Sequence, residues 1–167
     1  MSHTDHRDWK EFKGVGLTKI SQIKAALEIA RRVNEEKIPE GRPQITSSQD
    51  IADILMPRLR DLKVEIFKVV FLNAQNRIIE ISDIAQGSVN HVNPVIREIF
   101  QKALQVFAVS FICAHNHPSG EVSPSLEDKI FTQKLFEAGK VLQIEVLDHI
   151  IVGNNAYYSF ADQGGMK

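Results

Sequence analysis

Apolar residues recur at helical spacing early in the chain, and further on they gather into short runs with strand character. Ile20, Ile23, Leu27 and Ala30 or Val33 mark one face of a helix over about 18–35, with Thr18 as its N-cap, after a Gly14-Val15-Gly16 turn that follows a short helical turn at Trp9 to Phe12. Ser47 or Ser48 caps a second helix through Ile51, Ile54 and Leu55, ended by Pro57. Val64 to Leu72 is rich in β-branched and aromatic residues and has too few polar positions to alternate, so it reads as a strand buried on both faces. Asn73-Ala74-Gln75-Asn76 supplies a turn, and Arg77 to Ile84 returns as the second strand of a hairpin.

After a loop at Gln86 to Asn90, Asn93 and Pro94 offer an N-cap and a first helical residue. The apolar stripe that follows is Ile96, Ile99, Phe100, Ala103, Leu104 and Phe107. Val109 to Ala114 is a short apolar strand. A helix from about Pro124 to Ala138, capped by Ser123 and stopped by Gly139, places Ile130, Phe131, Leu135 and Phe136 in the core. Strands near Gln143 to Leu147 and His149 to Val152, an Asn154-Asn155 turn and a strand at Tyr157 to Phe160 complete the order. The sequence predicts an α/β fold, a mixed β-sheet flanked by helices, with a short N-terminal helical segment. Glu36 to Pro43 combines charge, two prolines and a glycine, a linker composition that divides the chain into 1–43 and 44–167.

Composition narrows the function. With 43% hydrophobic and 25% charged residues the chain is an ordinary globular one, and a net charge of -1 provides no global field for nucleic acid. The only cysteine, Cys113, excludes an internal disulfide and a four-cysteine zinc site, and fits a reducing cytoplasm. No run approaches the ~18 apolar residues of a membrane helix, so no membrane partner is expected. Nothing in the composition sets an oligomeric state.

The chemistry concentrates in Ala114-His115-Asn116-His117-Pro118-Ser119-Gly120 and, after a short loop, Ser125-Leu126-Glu127-Asp128. Residues i and i+2 of a strand share a face, so His115 and His117 can aim two ring nitrogens at one point. Asp128, at a helix start, can supply a third zinc ligand and leave a fourth position open for water. Ser125 and Asp128 lie one helical turn apart. A Ser-x-x-Asp before an apolar run is also a helix-capping pattern. Proton transfer needs a further group, and Glu65 opens an otherwise apolar strand face shared with Phe67, Val69 and Phe71. Glu80, on the return strand, is the other carboxylate to weigh and has the look of an exposed-face residue. Cys113 shares the histidines' strand face and reads as a small core hydrophobe rather than a site-lining thiol.

His115-x-His117, seven residues, Ser125-x-x-Asp128 matches in full the JAMM signature of the MPN-domain metalloproteases, and His-Asn-His-Pro-Ser-Gly resembles the RadC-like branch. The likeness extends through Val64 to Phe67, Leu72 to Arg77, Pro94 to Glu98 and Asp148 to Val152, covering about residues 45–160. The resemblance implies a JAMM/MPN fold with a cytidine-deaminase-like layout, and one zinc ion per chain held by His115, His117 and Asp128. It implies Glu65 as general acid/base, Ser125 as a holder of the oxyanion, and hydrolysis of a peptide or isopeptide bond in a protein or peptide substrate.

The N-terminal segment resembles the tail of the helix-hairpin-helix element that precedes this domain in RadC-like proteins. The helices usually found upstream are missing, which implies a shortened chain or a fragment. A second function follows from that likeness: a DNA-repair-associated DNA-binding or interaction module with a vestigial zinc site. A zinc deaminase is excluded because its Cys-x-x-Cys has no counterpart here, and the string His-Asn-His is not the dispersed motif of an HNH nuclease.

Overall fold

The computed structural model describes residues 16–36, 43–86 and 94–166. The Trp9 to Phe12 turn, Gly14 and Val15, most of the linker, the Gly87 to Asn90 loop and Asn93 lie outside them. Two compact units divide the chain, residues 1–37 and 38–167. In the first, α1 runs Leu17–Glu36. Ile20 is buried, while Ile23 is 38% exposed, so only part of the expected stripe is covered among the residues whose side chains are described.

The second unit is an α/β layer built on one mixed sheet. Its elements are α2 (Ser48–Leu59), β1 (Ile66–Leu72), β2 (Ile78–Gln86), α3 (Ile96–Gln105), β3 (Ser110–Asn116), α4 (Leu126–Leu142), β4 (Glu145–Val152) and β5 (Tyr157–Ser159). The five strands lie in the order β2-β1-β3-β4-β5, with only β3 and β4 parallel. β1 and β3 are buried along almost their whole length, because both sheet faces are covered. On one face Val70, Leu72, Ile112, Ala114, Ile150 and Val152 pack with Ile51, Leu55 and Leu59 of α2. On the other, Phe67, Val69, Phe71, Phe111 and Cys113 pack with Ile99, Phe100 and Ala103 of α3 and Leu135 of α4. Each fully buried Leu, Ile or Phe contributes roughly 1.5–3 kcal/mol. Among the described residues no helix is long and apolar enough to cross a membrane.

Several boundaries differ from those the sequence predicts, each for a local reason. α2 continues past Pro57 to Leu59, since Leu55 and Leu59 both bury completely and hold the last turn. α3 begins at Ile96 after Val95, which makes no side-chain cap. It ends at Gln105, so Phe107, at φ 55, leaves the stripe and is 88% exposed, and Leu104 also faces solvent. Ile130 of α4 is likewise exposed, and Thr132 takes the inward position.

Ser125, not Ser123, caps α4, and Gly139 lies inside that helix rather than after it. A Cβ on Gly139 would stand 2.7 Å from the Ile144 carbonyl and 2.9 Å from Val146, so glycine there allows β4 to approach the helix. The helix stops instead at Gln143, in the left-handed region at φ 55.

β4 is one strand where the sequence suggests two. Its pairing with β3 slips between Val146, opposite Phe111, and Asp148, opposite Ile112, so Leu147 is an inserted residue. The bulge reverses the side-chain parity. Val146 faces the α3 and α4 side, yet Ile150 and Val152 face the α2 side. His149 is thereby turned toward the α4 face, a re-aiming that regular alternation from Val146 would not give.

Candidate metal centre

The C-terminal end of β3 carries His115 to its last turn of pairing, and the loop after it is fixed to β4. The His117 N–H donates to the Val152 carbonyl at 3.0 Å, and the Gly120 N–H returns to the His117 carbonyl at 2.9 Å. His115 Nε2 and His117 Nε2 come within 3.0 Å of each other. α4 enters from the side. Its N-terminus is a capping box in which the Ser125 hydroxyl accepts from the Asp128 N–H at 3.1 Å and donates to Asp128 Oδ2 at 2.7 Å, while the Ser125 N–H donates to that oxygen at 2.8 Å. The capping reading and the ligand reading of Ser125-x-x-Asp128 therefore describe the same atoms. Asp128 Oδ1 lies 3.3 Å from His115 Nε2, and Oδ2 lies 3.6 Å from His117 Nε2.

The proton on His117 is placed by its neighbour. Nδ1 lies 2.9 Å from the Glu121 carbonyl, which only accepts, so Nδ1–H donates and the Nε2 lone pair faces the site. Burial pushes His115 down to about 4, against the pull of Asp128. His117 is raised against burial, first because the Asp128 carboxylate would accept a proton added at Nε2. Burial opposes ionisation of Asp128, but His117, His115 and the Ser125 hydroxyl and amide outweigh it and hold the carboxyl below its usual range.

Two imidazole nitrogens and a carboxylate converging with lone pairs inward form an arrangement that a cation satisfies. His115, His117 and Asp128 each offer a ligand atom, all within 4.8 Å of one another. This nitrogen and oxygen donor set suits zinc.

Glu65 directly precedes β1 and lies 3.8 Å, by Oε1, from His115 Nε2, with its side chain 14% exposed. Glu80 is engaged elsewhere, by Lys102 of α3 at 2.8 Å and the Ser82 hydroxyl at 2.5 Å. A cavity of about 30 Å³ between Glu65, His115, Asp128 and Phe131 has room for a water molecule. A larger one, about 420 Å³, at Val109, Phe136 and Val146 contains none of the predicted site residues. Cys113 is fully buried in the α3 and α4 core, and burial raises its thiol well above the usual range.

Two buried residues at the site went without a role in the sequence reading. Asn116 accepts from the Ile66 N–H at 2.8 Å and donates to the Val64 and Leu62 carbonyls at 3.1 and 3.4 Å. His149 reaches His115 Nδ1 at 2.9 Å with its Nε2, and the Thr132 hydroxyl at 2.6 Å with its Nδ1. The central Asn of His-Asn-His was a visible signal for the first. The bulge at Leu147 concealed the second.

The family model of the RadC-like JAB domain matches residues 45–165, which span this whole arrangement. The chain belongs to that family. It is 41% identical to a UPF0758 protein of Alkaliphilus metalliredigens over 167 residues, 99% of this chain and 71% of that one. It is also 40% identical to a UPF0758 protein of Methanosarcina mazei over 94% of this chain and 68% of that one. A Rubrobacter xylanophilus UPF0758 protein is 43% identical over 155 residues, 93% of this chain and 67% of that one. Within the RadC-like JAB domain the five-stranded sheet and its flanking helices carry the His-His-Asp cluster just described. The Gly-Val-Gly turn of the helix-hairpin-helix likeness lies largely outside the described residues.

Proposed function

We propose that this RadC-like domain is a zinc-dependent hydrolase of peptide or isopeptide bonds, with His115, His117 and Asp128 as ligands and Glu65 as the proton carrier. The observation behind the reading is the convergence of two imidazole nitrogens and a carboxylate within 4.8 Å, with a largely buried second carboxylate beside them. Zinc held by His115, His117 and Asp128 would supply Lewis acidity there, lowering the pKa of a water to about 7 and polarising a carbonyl.

Amide hydrolysis also needs a group that takes a proton from the attacking water and delivers it to the departing nitrogen, because an amine anion is too basic to leave. Glu65 does this, close enough to the ligands to act on the same atoms and lining the small cavity beside them. Ser125 has a prior duty: its hydroxyl proton points at Asp128 Oδ2 and holds that ligand. To serve as an oxyanion donor it would have to release Asp128 Oδ2. The substrate is a protein or peptide presented at the mouth of the site, in a reducing compartment such as the cytoplasm that suits a single buried thiol.

Elemental analysis and a peptide library test the reading together. The purified chain carries about one zinc, Asp128→Ala loses it, and Glu65→Gln keeps it. Incubated with a proteome-derived peptide mixture and read by mass spectrometry, the wild type produces new N-termini that Glu65→Gln does not. Full zinc in the Asp128 variant removes the ligand set, the same new N-termini from both proteins remove Glu65 as the proton carrier, and a wild type that makes none removes the hydrolase.

A further inference from the structure

His115 is the most buried ligand, 1% exposed, and its Nδ1 points away from the site into the sheet and α4. Three short contacts lead from that nitrogen. His115 Nδ1 lies 2.9 Å from His149 Nε2, His149 Nδ1 lies 2.6 Å from the Thr132 hydroxyl, and that hydroxyl donates at 2.6 Å to the main-chain carbonyl of Asp128. The chain of contacts begins on one proposed ligand and ends on the backbone of another.

Such a chain can run in two senses, and its terminus decides between them. A carbonyl oxygen only accepts, so the single hydroxyl proton of Thr132 is committed to Asp128. The hydroxyl then meets His149 with a lone pair, which puts the His149 proton on Nδ1. Its Nε2 is left as the acceptor, and the proton facing it sits on His115 Nδ1. His115 Nε2 consequently keeps its lone pair, aimed at His117 and Asp128.

We propose that Thr132 and His149 are positioning residues that fix His115 in its Nδ1–H tautomer, through a hydrogen-bond chain anchored on the Asp128 carbonyl. The proposal deepens the zinc-site reading and rests on it for its purpose. A metal-binding histidine usually gives its second N–H directly to a carboxylate, a carbonyl or water. Here the carbonyl is reached through two side chains, so the helix that brings Asp128 also sets the proton on His115.

The supporting geometry is specific. Thr132 lies one turn after Asp128 on α4, and its hydroxyl bonds back to the i−4 carbonyl. The Leu147 bulge turns His149 to this face, opposite Cys113 in the pairing. The His149 ring stacks on Phe160 with centroids 5.2 Å apart at 8°, and Phe131 meets it in an edge arrangement with centroids 6.1 Å apart. Neither ring supplies a competing polar partner.

Thr132→Val keeps the branched shape and removes the hydroxyl, while Thr132→Ser keeps the hydroxyl. Imidazole ¹⁵N–¹H correlation spectra of the metal-free full chain read the tautomers without reference to zinc. The wild type and Thr132→Ser show His115 protonated on Nδ1, and Thr132→Val shows that preference lost or reversed. Competition against a chromophoric chelator then gives zinc affinity about 10–100-fold weaker for Thr132→Val and within about threefold of wild type for Thr132→Ser. A wild-type His115 protonated on Nε2 overturns the proposal, as does a Thr132→Val protein with unchanged tautomer and unchanged zinc affinity. A wild type with the expected tautomer but no zinc binding sustains the hydrogen-bond chain and overturns the hydrolase reading instead.

Discussion

The side chain of Asn116 donates to the main-chain carbonyl of Val64 at 3.1 Å, and the same side chain accepts from the Ile66 N–H at 2.8 Å. One buried amide between the two histidines therefore grips the chain on both sides of Glu65. Its third bond, to the Leu62 carbonyl at 3.4 Å, extends the grip into the turn before β1. Asn116→Ala strands these groups, at a cost of about 1–3 kcal/mol. In the hydrolase reading it also frees Glu65 while leaving the ligands in place. The expected result is near-wild-type zinc content with turnover reduced about 100-fold, because a carboxylate out of position loses most of what general acid–base catalysis supplies. Turnover unaffected by Asn116→Ala would separate Glu65 from the chemistry.

Zinc affinity should depend on pH through His117. Its pKa is raised above 6.5 by Asp128, whereas burial lowers that of His115 to about 4. As pH falls through the raised His117 value, a proton occupies the nitrogen that would bind the metal, and apparent affinity drops by about tenfold per pH unit. The loss therefore begins above pH 6.5 and is first order in protons until His115 joins near pH 4. In the metal-free protein the linkage has the opposite direction for this residue: its stabilising contribution is complete below the unfolded pKa and fades as pH rises through the raised folded value. Chelator competition across pH, paired with melting curves of the metal-free chain, reads both effects. An affinity that is flat from pH 8 to pH 6, roughly two units, excludes His117 as a ligand.

The backbone crossing beneath the His117 loop leaves no room for a side chain at Gly153. A Cβ there would meet the Gly120 carbonyl oxygen at 2.3 Å and Val122 at 2.6 Å. The obstacle is main chain, held by the Asn154 N–H donating to that same oxygen at 3.1 Å, so it cannot swing aside as a side-chain tip would. Gly153→Ala is expected to cost about 1–3 kcal/mol and to lower Tm by several degrees. Zinc affinity falls with it, since the displaced Val152 carbonyl receives the His117 N–H. Calorimetry and chelator competition on the same sample measure the two losses.

What the sequence could and could not reveal follows from the range of the forces involved. Continuous apolar runs and period-3.6 patterns report what an element buries: β1 and β3 were legible as runs covered on both faces, and α1 and α4 by helical spacing, although Ile23 and Ile130 of those stripes face solvent. His115, His117, Ser125 and Asp128 were legible as candidates because they sit close together in the chain and their grouping is chemical. Phe107 was not: its apolar character fits the α3 stripe, and only the helix end at Gln105 releases it to solvent. His149 was not either, since the parity slip at Leu147 is a property of pairing with β3 and leaves no trace in alternation. Gly139 reads as a helix stop by type, although its purpose is the approach of Ile144 and Val146 to the helix backbone.

Ser125 unites two roles that one substitution pair separates. Its hydroxyl caps α4 through the Asp128 N–H at 3.1 Å and holds Asp128 Oδ2 at 2.7 Å. At an N-cap, alanine costs about 0.5–2 kcal/mol and glycine only a few tenths. Ser125→Ala should therefore lower both stability and function, whereas Ser125→Gly nearly restores the helix end but not the hydroxyl. If the hydroxyl serves the oxyanion, the two variants share the same large loss of kcat despite their different melting temperatures, and both retain zinc within about tenfold. If it serves only to orient Asp128, zinc affinity falls in both, and turnover at saturating zinc returns toward wild type. Activity that follows melting temperature alone, with Ser125→Gly close to wild type, would assign the residue to the helix cap and to nothing in the reaction.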